Sequence, residues 1–209
     1  MKKLTRYILS GFGGTVITKD EMNETCKRFG ADVDSTVNFM IWYGYLVRIL
    51  RGLYYVKTVE EFTLKKAADI YRVLSLGMDD LKVKWYFGLH TALRLNGATH
   101  EYSDVTFILN DAIFRPKTLK VAGEKVRFIK VGKNLFGFGV IEKNGTKFSD
   151  LEKTVLDLVY LSRYRSMPEE KIASTIEEYA KDARAEKVKE YLRFYPKTIG
   201  MVVKNAGII

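Results

Sequence analysis

Apolar positions along the chain change period twice, and those changes divide it. From Lys2 to Ser10, Leu4, Tyr7 and Ile8 recur at helical spacing, and Gly11, Gly13 and Gly14 stop the run. Thr18 followed by Glu21 is a capping-box pattern, because the hydroxyl and the carboxylate each satisfy a helix-start amide. It opens a second helix with Met22, Cys26 and Phe29 facing inward and Gly30 as its stop. Asp34 or Ser35 can cap a third helix, on which Val37, Met40, Ile41 and Gly44 share a face. The pattern then becomes that of a hairpin. Tyr45–Leu50 reads as a strand, Arg51-Gly52 as a turn and Leu53–Lys57 as the returning strand. Three short helices followed by a hairpin is the order of a winged helix-turn-helix, expected here over residues 1–58.

From Val59 to Gly97 the helical pattern returns, in one amphipathic segment over Leu64–Leu76 and a second over Leu81–Leu95. Strand-like runs follow at Asp104–Leu109, Lys125–Val131 and Leu135–Ile141, and Asn144-Gly145 marks a tight turn into Thr146–Phe148. Asp150–Leu161, Glu169–Ala180 and Glu186–Phe194 read as helices, and a last one begins after Pro196. The expected fold class is α+β. A winged helix-turn-helix at 1–58 precedes a mixed sheet-and-helix domain at 59–209 with a helical C-terminus.

Composition narrows the setting. With 47% hydrophobic and 13% aromatic residues the chain can bury a substantial core. No apolar run approaches the roughly 18 residues of a bilayer span, so no membrane partner is expected. Arg6 interrupts the apolar stretch behind Lys2 and Lys3, unlike a signal peptide. The lone cysteine, Cys26, allows no internal disulfide and fits a cytoplasmic location. His90 and His100 are the only histidines and show no metal-ligand spacing, so neither a metal nor a cofactor is expected. Glutamine is absent while lysine and glutamate abound, a bias that fits a thermophile.

The formal charge is +10, and its distribution says more than its total. Residues 1–57 carry nine Lys/Arg against five Asp/Glu, and residues 113–133 carry seven against one. The first excess coincides with the helix-turn-helix pattern and points to double-stranded DNA. On the third helix, Asn38 can pair with an adenine edge, Ser35 or Thr36 with phosphates or bases, and an aromatic such as Trp42 with a thymine methyl. Phe39 and Trp42 could instead pack against the second domain. Arg48 and Arg51 flank the hairpin turn, where a guanidinium can enter the minor groove or clamp phosphates. Lys3, with Lys2 and Arg6, adds backbone contacts from the first helix. The second excess includes Arg115, Lys117, Arg127 and Lys130, which form either a second binding surface for nucleic acid or an acidic partner, or a solvated strand face.

No catalytic residue is expected. Gly13-Gly14 and Asp32-Val33-Asp34 superficially supply the parts of a nucleotidyltransferase site, but a whole helix separates them. The acid-x-Lys steps Asp80-Leu81-Lys82 and Glu169-Glu170-Lys171 fall at expected helix starts rather than on a strand. Glu152 and Asp157 sit five apart, about 140° around a helix, so one metal cannot readily join them. A metal-dependent phosphoryl-transfer enzyme or nuclease acting on nucleic acid is the alternative class.

Three segments carry a family resemblance. The hairpin Leu46-Val47-Arg48-Ile49-Leu50-Arg51-Gly52-Leu53-Tyr54-Tyr55-Val56 is similar to an arginine-glycine-tyrosine wing. Tyr86-Phe87-Gly88-Leu89-His90-Thr91-Ala92-Leu93 with Asn96-Gly97-Ala98-Thr99 matches a helix and the loop after it. Ser149 to Leu158 is similar to a helix bearing Glu, Thr and Asp, here Glu152, Thr154 and Asp157. In this order the set resembles the AbiEi-type antitoxins, transcriptional regulators of the abortive-infection, type IV toxin–antitoxin class. The resemblance implies a DNA-binding winged helix that represses its own operon. It also implies a C-terminal domain that neutralises a nucleotidyltransferase-like toxin without a stable complex. Gly88, where a polar residue is usual, and the dense basic segment 113–133 depart from the family pattern. The stripe Leu151, Val155, Leu158 and Val159 also gives the third segment a structural reading, in which Glu152 and Asp157 cap the helix or pair with arginines.

Overall fold

The computed structural model describes residues 3–99, 103–164, 167, 172, 176–177 and 179–209. Helices and two sheets are present and the C-terminal part is helical, so the fold class is α+β. The chain divides into two compact units: residues up to Lys82 with Lys120–Glu124, and Val83–Leu119 with Lys125–Ile209.

The first unit runs α1 (Lys3–Phe12), β1 (Val16–Thr18), α2 (Lys19–Arg28), α3 (Val33–Trp42), β2 (Leu46–Leu50), β3 (Leu53–Val56), α4 (Val59–Thr63) and α5 (Ile70–Asp80). Its antiparallel sheet has the order β1-β3-β2, with Val16 opposite Tyr55 and Val47 opposite Tyr55 on the other side. β1 is absent from the sequence expectation, because a three-residue strand is too short to display alternation. The capping box at Thr18 forms as expected: its hydroxyl accepts from the Glu21 amide at 3.2 Å, and the Glu21 carboxylate accepts from the Thr18 amide at 2.7 Å. The cap of α3 is Asp32 rather than Asp34 or Ser35; its Oδ1 accepts from the Ser35 amide at 2.8 Å. Phe29 does not face inward. It follows the last residue of α2 and is 42% exposed, its ring 5.3 Å from that of Tyr7. Ile8, Ile17, Met22, Cys26, Met40 and Val56 are fully buried in the core between these elements.

This unit continues past the expected boundary at residue 58 because α5 packs on the sheet. Gly77 makes that approach close: a Cβ there would lie 2.7 Å from Ile49 Cδ1. Of the helix expected over Leu64–Leu76 only the part from Ile70 is helical: α4 ends at Thr63 and α5 starts at Ile70, where Asp69 accepts from the Tyr71 amide at 2.9 Å. The step Asp80-Leu81-Lys82 therefore lies at a helix end, not a start.

From Val83 the chain runs β4 (Trp85–Phe87), α6 (Leu89–Leu95), β5 (Val105–Asn110), β6 (Leu119–Val121, of which Lys120 and Val121 count with the first unit), β7 (Glu124–Lys130), a 3-10 turn (Lys133–Phe136), β8 (Val140–Lys143), β9 (Thr146–Ser149), α7 (Leu151–Tyr164), α8 (Ala185–Leu192) and α9 (Lys197–Asn205). The strand order is β6-β7-β5-β4-β9-β8; β5 runs parallel to β7, and β4 runs parallel to β9 and antiparallel to β5. Leu81–Leu95 was expected as one helix and is instead a strand followed by a helix. Trp85, Tyr86 and Phe87 are all buried, so the strand shows no polar alternation. The strand expected over Leu135–Ile141 is likewise a 3-10 turn followed by β8, with Gly139 at φ +59° between them. At the β8–β9 turn Lys143 opposes Thr146 and both Asn144 and Gly145 have positive φ, as the two-residue hairpin requires. α7 packs against α6, α8 and α9. The helix expected at Glu169–Ala180 lies mostly outside the described residues, of which Ile172, Ile176 and Tyr179 are buried in the core. No helix among the described residues is long and apolar enough to cross a membrane.

Candidate nucleic-acid interface

Helix α3 buries Val37 and Met40 against the first core and turns a different stripe outward. Ser35, Asn38 and Trp42 are exposed, and their i, i+3, i+7 spacing puts them on one face. Trp42 is 85% exposed. The indole therefore makes little contact with the rest of its own unit. Phe39, by contrast, is partly buried and continues an aromatic row, 4.5 Å from Tyr43, which is 6.4 Å from Tyr45.

Lys3, Ser35 and Thr36 line one groove of about 460 Å³ between α1 and α3, together with Phe29 and Phe39. The Thr36 hydroxyl is committed, donating to the Asp32 carbonyl at 2.7 Å, and the Ser35 hydroxyl is engaged with the Asp32 carboxylate. Two carboxylates stand at this end of the helix. Hydrogen bonds from Ser35, the backbone amide first, hold Asp32 below the usual carboxylate range. Asp34 binds the Lys19 ammonium at 2.7 Å, and that bond raises the lysine pKa above its ordinary value. Asp34 is thus neutralised by its pair, while Asp32 keeps its negative charge at the start of the helix.

The hairpin presents the remaining cations. Arg48 and Arg51 are both exposed. Arg48 lies over the Tyr54 ring, 5.9 Å from its centroid, an arrangement that restrains the guanidinium without neutralising it. Gly52, at φ +82°, makes the tight turn, and its carbonyl accepts from the Lys19 amide at 2.8 Å. Lys19 thus ties the turn to the start of α2 and, through Asp34, to the start of α3. Sequence reasoning passed over it; only its place beside the capping box hinted at the role.

In the second unit the structure gathers a polar cluster that sequence reasoning saw only in part. Asp157, fully buried, accepts from Tyr195 Oη at 2.6 Å and from Tyr86 Oη at 2.9 Å, with Lys153 Nζ at 3.5 Å. The Lys153 ammonium is also fully buried, 4.4 Å from the Phe138 ring centroid and 4.7 Å from that of Tyr86. Burial pushes Asp157 up and Lys153 down, each toward its neutral form, while their mutual attraction opposes both shifts. Burial also lifts both tyrosine hydroxyls well above their usual range. Glu152 faces a different set: Arg184 Nε at 2.8 Å and Lys187 Nζ at 3.2 Å. Burial pulls its carboxyl upward, but those donors outweigh it and hold the group low. Asp150 starts α7, accepting from the Lys153 amide at 2.9 Å, and also binds Lys187 Nζ at 2.6 Å. Glu152 and Asp157 therefore belong to separate networks. The i, i+4 spacing of Lys153 and Asp157 was readable in the sequence; their burial was not.

The second basic set is exposed at Arg115, Lys117 and Lys130 and half-buried at Arg127. Strand β7 alternates as expected, with Val126 and Phe128 buried and Arg127 and Ile129 partly exposed. No group of three or more His, Cys, Asp or Glu among the described residues is placed to hold a metal ion.

No protein-family model matches the sequence, and no curated protein does. Among solved structures the chain is similar to the RV2827C protein from Mycobacterium tuberculosis, with 14% sequence identity and a TM-score of 0.58. The match covers 98% of this chain and 74% of that one, so the two share a fold across both units.

Proposed function

We propose that the chain is a sequence-specific, double-stranded-DNA-binding transcriptional regulator whose first unit is a winged helix-turn-helix. The observation that carries this reading is the outward stripe of α3, with Asn38 and the 85% exposed Trp42, in the same compact unit as the exposed hairpin arginines Arg48 and Arg51. Helix, short strand, two helices and hairpin follow one another in the order such a module needs, and β1 closes the sheet beside the hairpin. Asn38 reads bases, Trp42 contributes apolar contact, and Arg48, Arg51 and Lys3 hold the backbone. The protein is not assigned a catalytic step.

The antitoxin role is part of the same proposal and rests on the three resembling segments. On that reading the protein represses its own operon and opposes a nucleotidyltransferase-like toxin without forming a stable complex. Growth rescue by the full chain beside the toxin of an adjacent gene tests that part separately.

DNA reading is tested by selecting duplex sites from a random pool with the full chain, then measuring Asn38→Ala on the selected site and on unrelated DNA. A loss of about 1–3 kcal/mol on the selected site, with little change on unrelated duplex, is expected. Equal losses on both would remove Asn38 as a base reader, and a pool that yields no enriched site would end the sequence-specific account.

A further inference from the structure

Three of the seven cations over 113–133, Arg115, Arg127 and Lys130, line one pocket of the second unit. A cavity of about 310 Å³ is lined by Phe114, Arg115, Arg127, Ile129, Lys130 and Leu161. It lies where the parallel strands β5 and β7 end, Asn110 being opposite Lys130 in the register. Crevices at the carboxyl ends of parallel strands are where open sheets take ligands, because the connections diverge there. Asn110, fully buried, builds the rim. Its Oδ1 accepts from the amides of Ala112 and Ile113, and its Nδ2 donates to the Ile129 carbonyl at 3.2 Å. That side chain fixes the turn after β5 against β7 and so presents Phe114 and Arg115.

Two features of the pocket call for one kind of ligand. Phe114 is 65% exposed, an open aromatic face beside an apolar floor. The cations around it are uncompensated: among the described residues no carboxylate forms an ion pair with Arg115, Arg127 or Lys130, whereas Lys125 at the start of the same strand is paired with Asp104. We propose that this pocket binds single-stranded nucleic acid, stacking one unpaired base on Phe114 and holding flanking phosphates with Arg115, Arg127 and Lys130. A duplex keeps its bases stacked and offers Phe114 no open base face, whereas every unpaired base of a single strand does. Arg115, Lys117 and Lys130 extend the positive charge beyond one phosphate group, which selects a strand over a free nucleotide. All of its lining residues belong to the second unit.

The test uses the full chain carrying Arg48→Ala and Arg51→Ala, so that the hairpin contributes nothing, and a fluorescein-labelled unstructured RNA oligonucleotide as probe. Adding Phe114→Ala is expected to weaken RNA binding about tenfold, the scale of one lost base stack, with weak duplex binding unchanged. Phe114→Trp is expected to restore binding and to add emission that the RNA quenches. Arg127→Gln is expected to flatten the log–log salt dependence by about 0.7, one single-strand phosphate. RNA affinity indifferent to Phe114→Ala would overturn the proposal. So would an equal loss on duplex DNA, or ATP binding as tightly as the oligonucleotide. Because the background lacks the hairpin arginines and Phe114 lies in the second unit, none of these three results depends on whether the first unit reads DNA.

Discussion

Asp157 shows how far a single side chain can set local stability. Its two oxygens are met by Tyr195, Tyr86 and Lys153 in the interior of the second unit. Removing the carboxylate leaves a buried ammonium and two buried hydroxyls without their acceptor. Asp157→Ala is therefore expected to cost about 3–5 kcal/mol of unfolding free energy in urea titrations. Adding Lys153→Met to that variant should recover part of the loss, because the stranded charge is then gone. A double variant no more stable than Asp157→Ala would mean that the ammonium is not what the carboxylate compensates. At this scale the sequence was readable wherever a residue acts on close neighbours. Thr18 and Glu21 form their capping box, and Glu152 does pair with an arginine, Arg184. It was unreadable where the partner is far away in the chain. Tyr195 reaches Asp157 from 38 residues on, and no local pattern marks it. The cap of α3 lies two or three residues before the expected Asp34 or Ser35 because Asp32, Asp34 and Ser35 are all competent caps. Their side chains do not reveal which backbone becomes extended.

Elements were legible in proportion to their length and to how much of one face stays wet. The hairpin of β2 and β3, the strands β5 and β7, and α7 all appear close to their expected positions. β4 was lost inside an expected helix because every one of its residues is buried, so neither alternation nor a polar helix face survives. Gly88, the residue that departs from the family pattern, has a packing reason in this fold. A Cβ there would lie 2.7 Å from Leu109 Cδ1 and 3.3 Å from the Tyr86 ring, between β4 and the start of α6. Gly88→Ala is expected to lower stability by about 1–3 kcal/mol through overpacking, read as a shift of the urea midpoint. An unchanged midpoint would show that Leu109 has room to turn away. The turn after β5 was read only as part of a basic stretch. Its architecture depends on Asn110 reaching across to β7, which a linear pattern does not display.

On the scale of the whole molecule, the two concentrations of charge in the sequence fall on two compact units, apart from residues 120–124 of the second stretch, which pack with the first unit. The expected boundary at residue 58 would separate α5 from the sheet it packs on. Point substitutions are thus the better way to separate the roles of the units, since truncation before Lys82 exposes the face that α5 covers. The winged-helix reading concerns the first unit alone, and the most direct measurement of it is the salt dependence of duplex binding. With on the order of 4–6 phosphate contacts, the full chain should bind duplex DNA with a log–log slope of about −4 to −5. Arg48→Ala with Arg51→Ala should reduce its magnitude by about 2, one contact for each guanidinium. Affinity that stays flat from low to high salt, or a slope that ignores the loss of both arginines, would contradict the account.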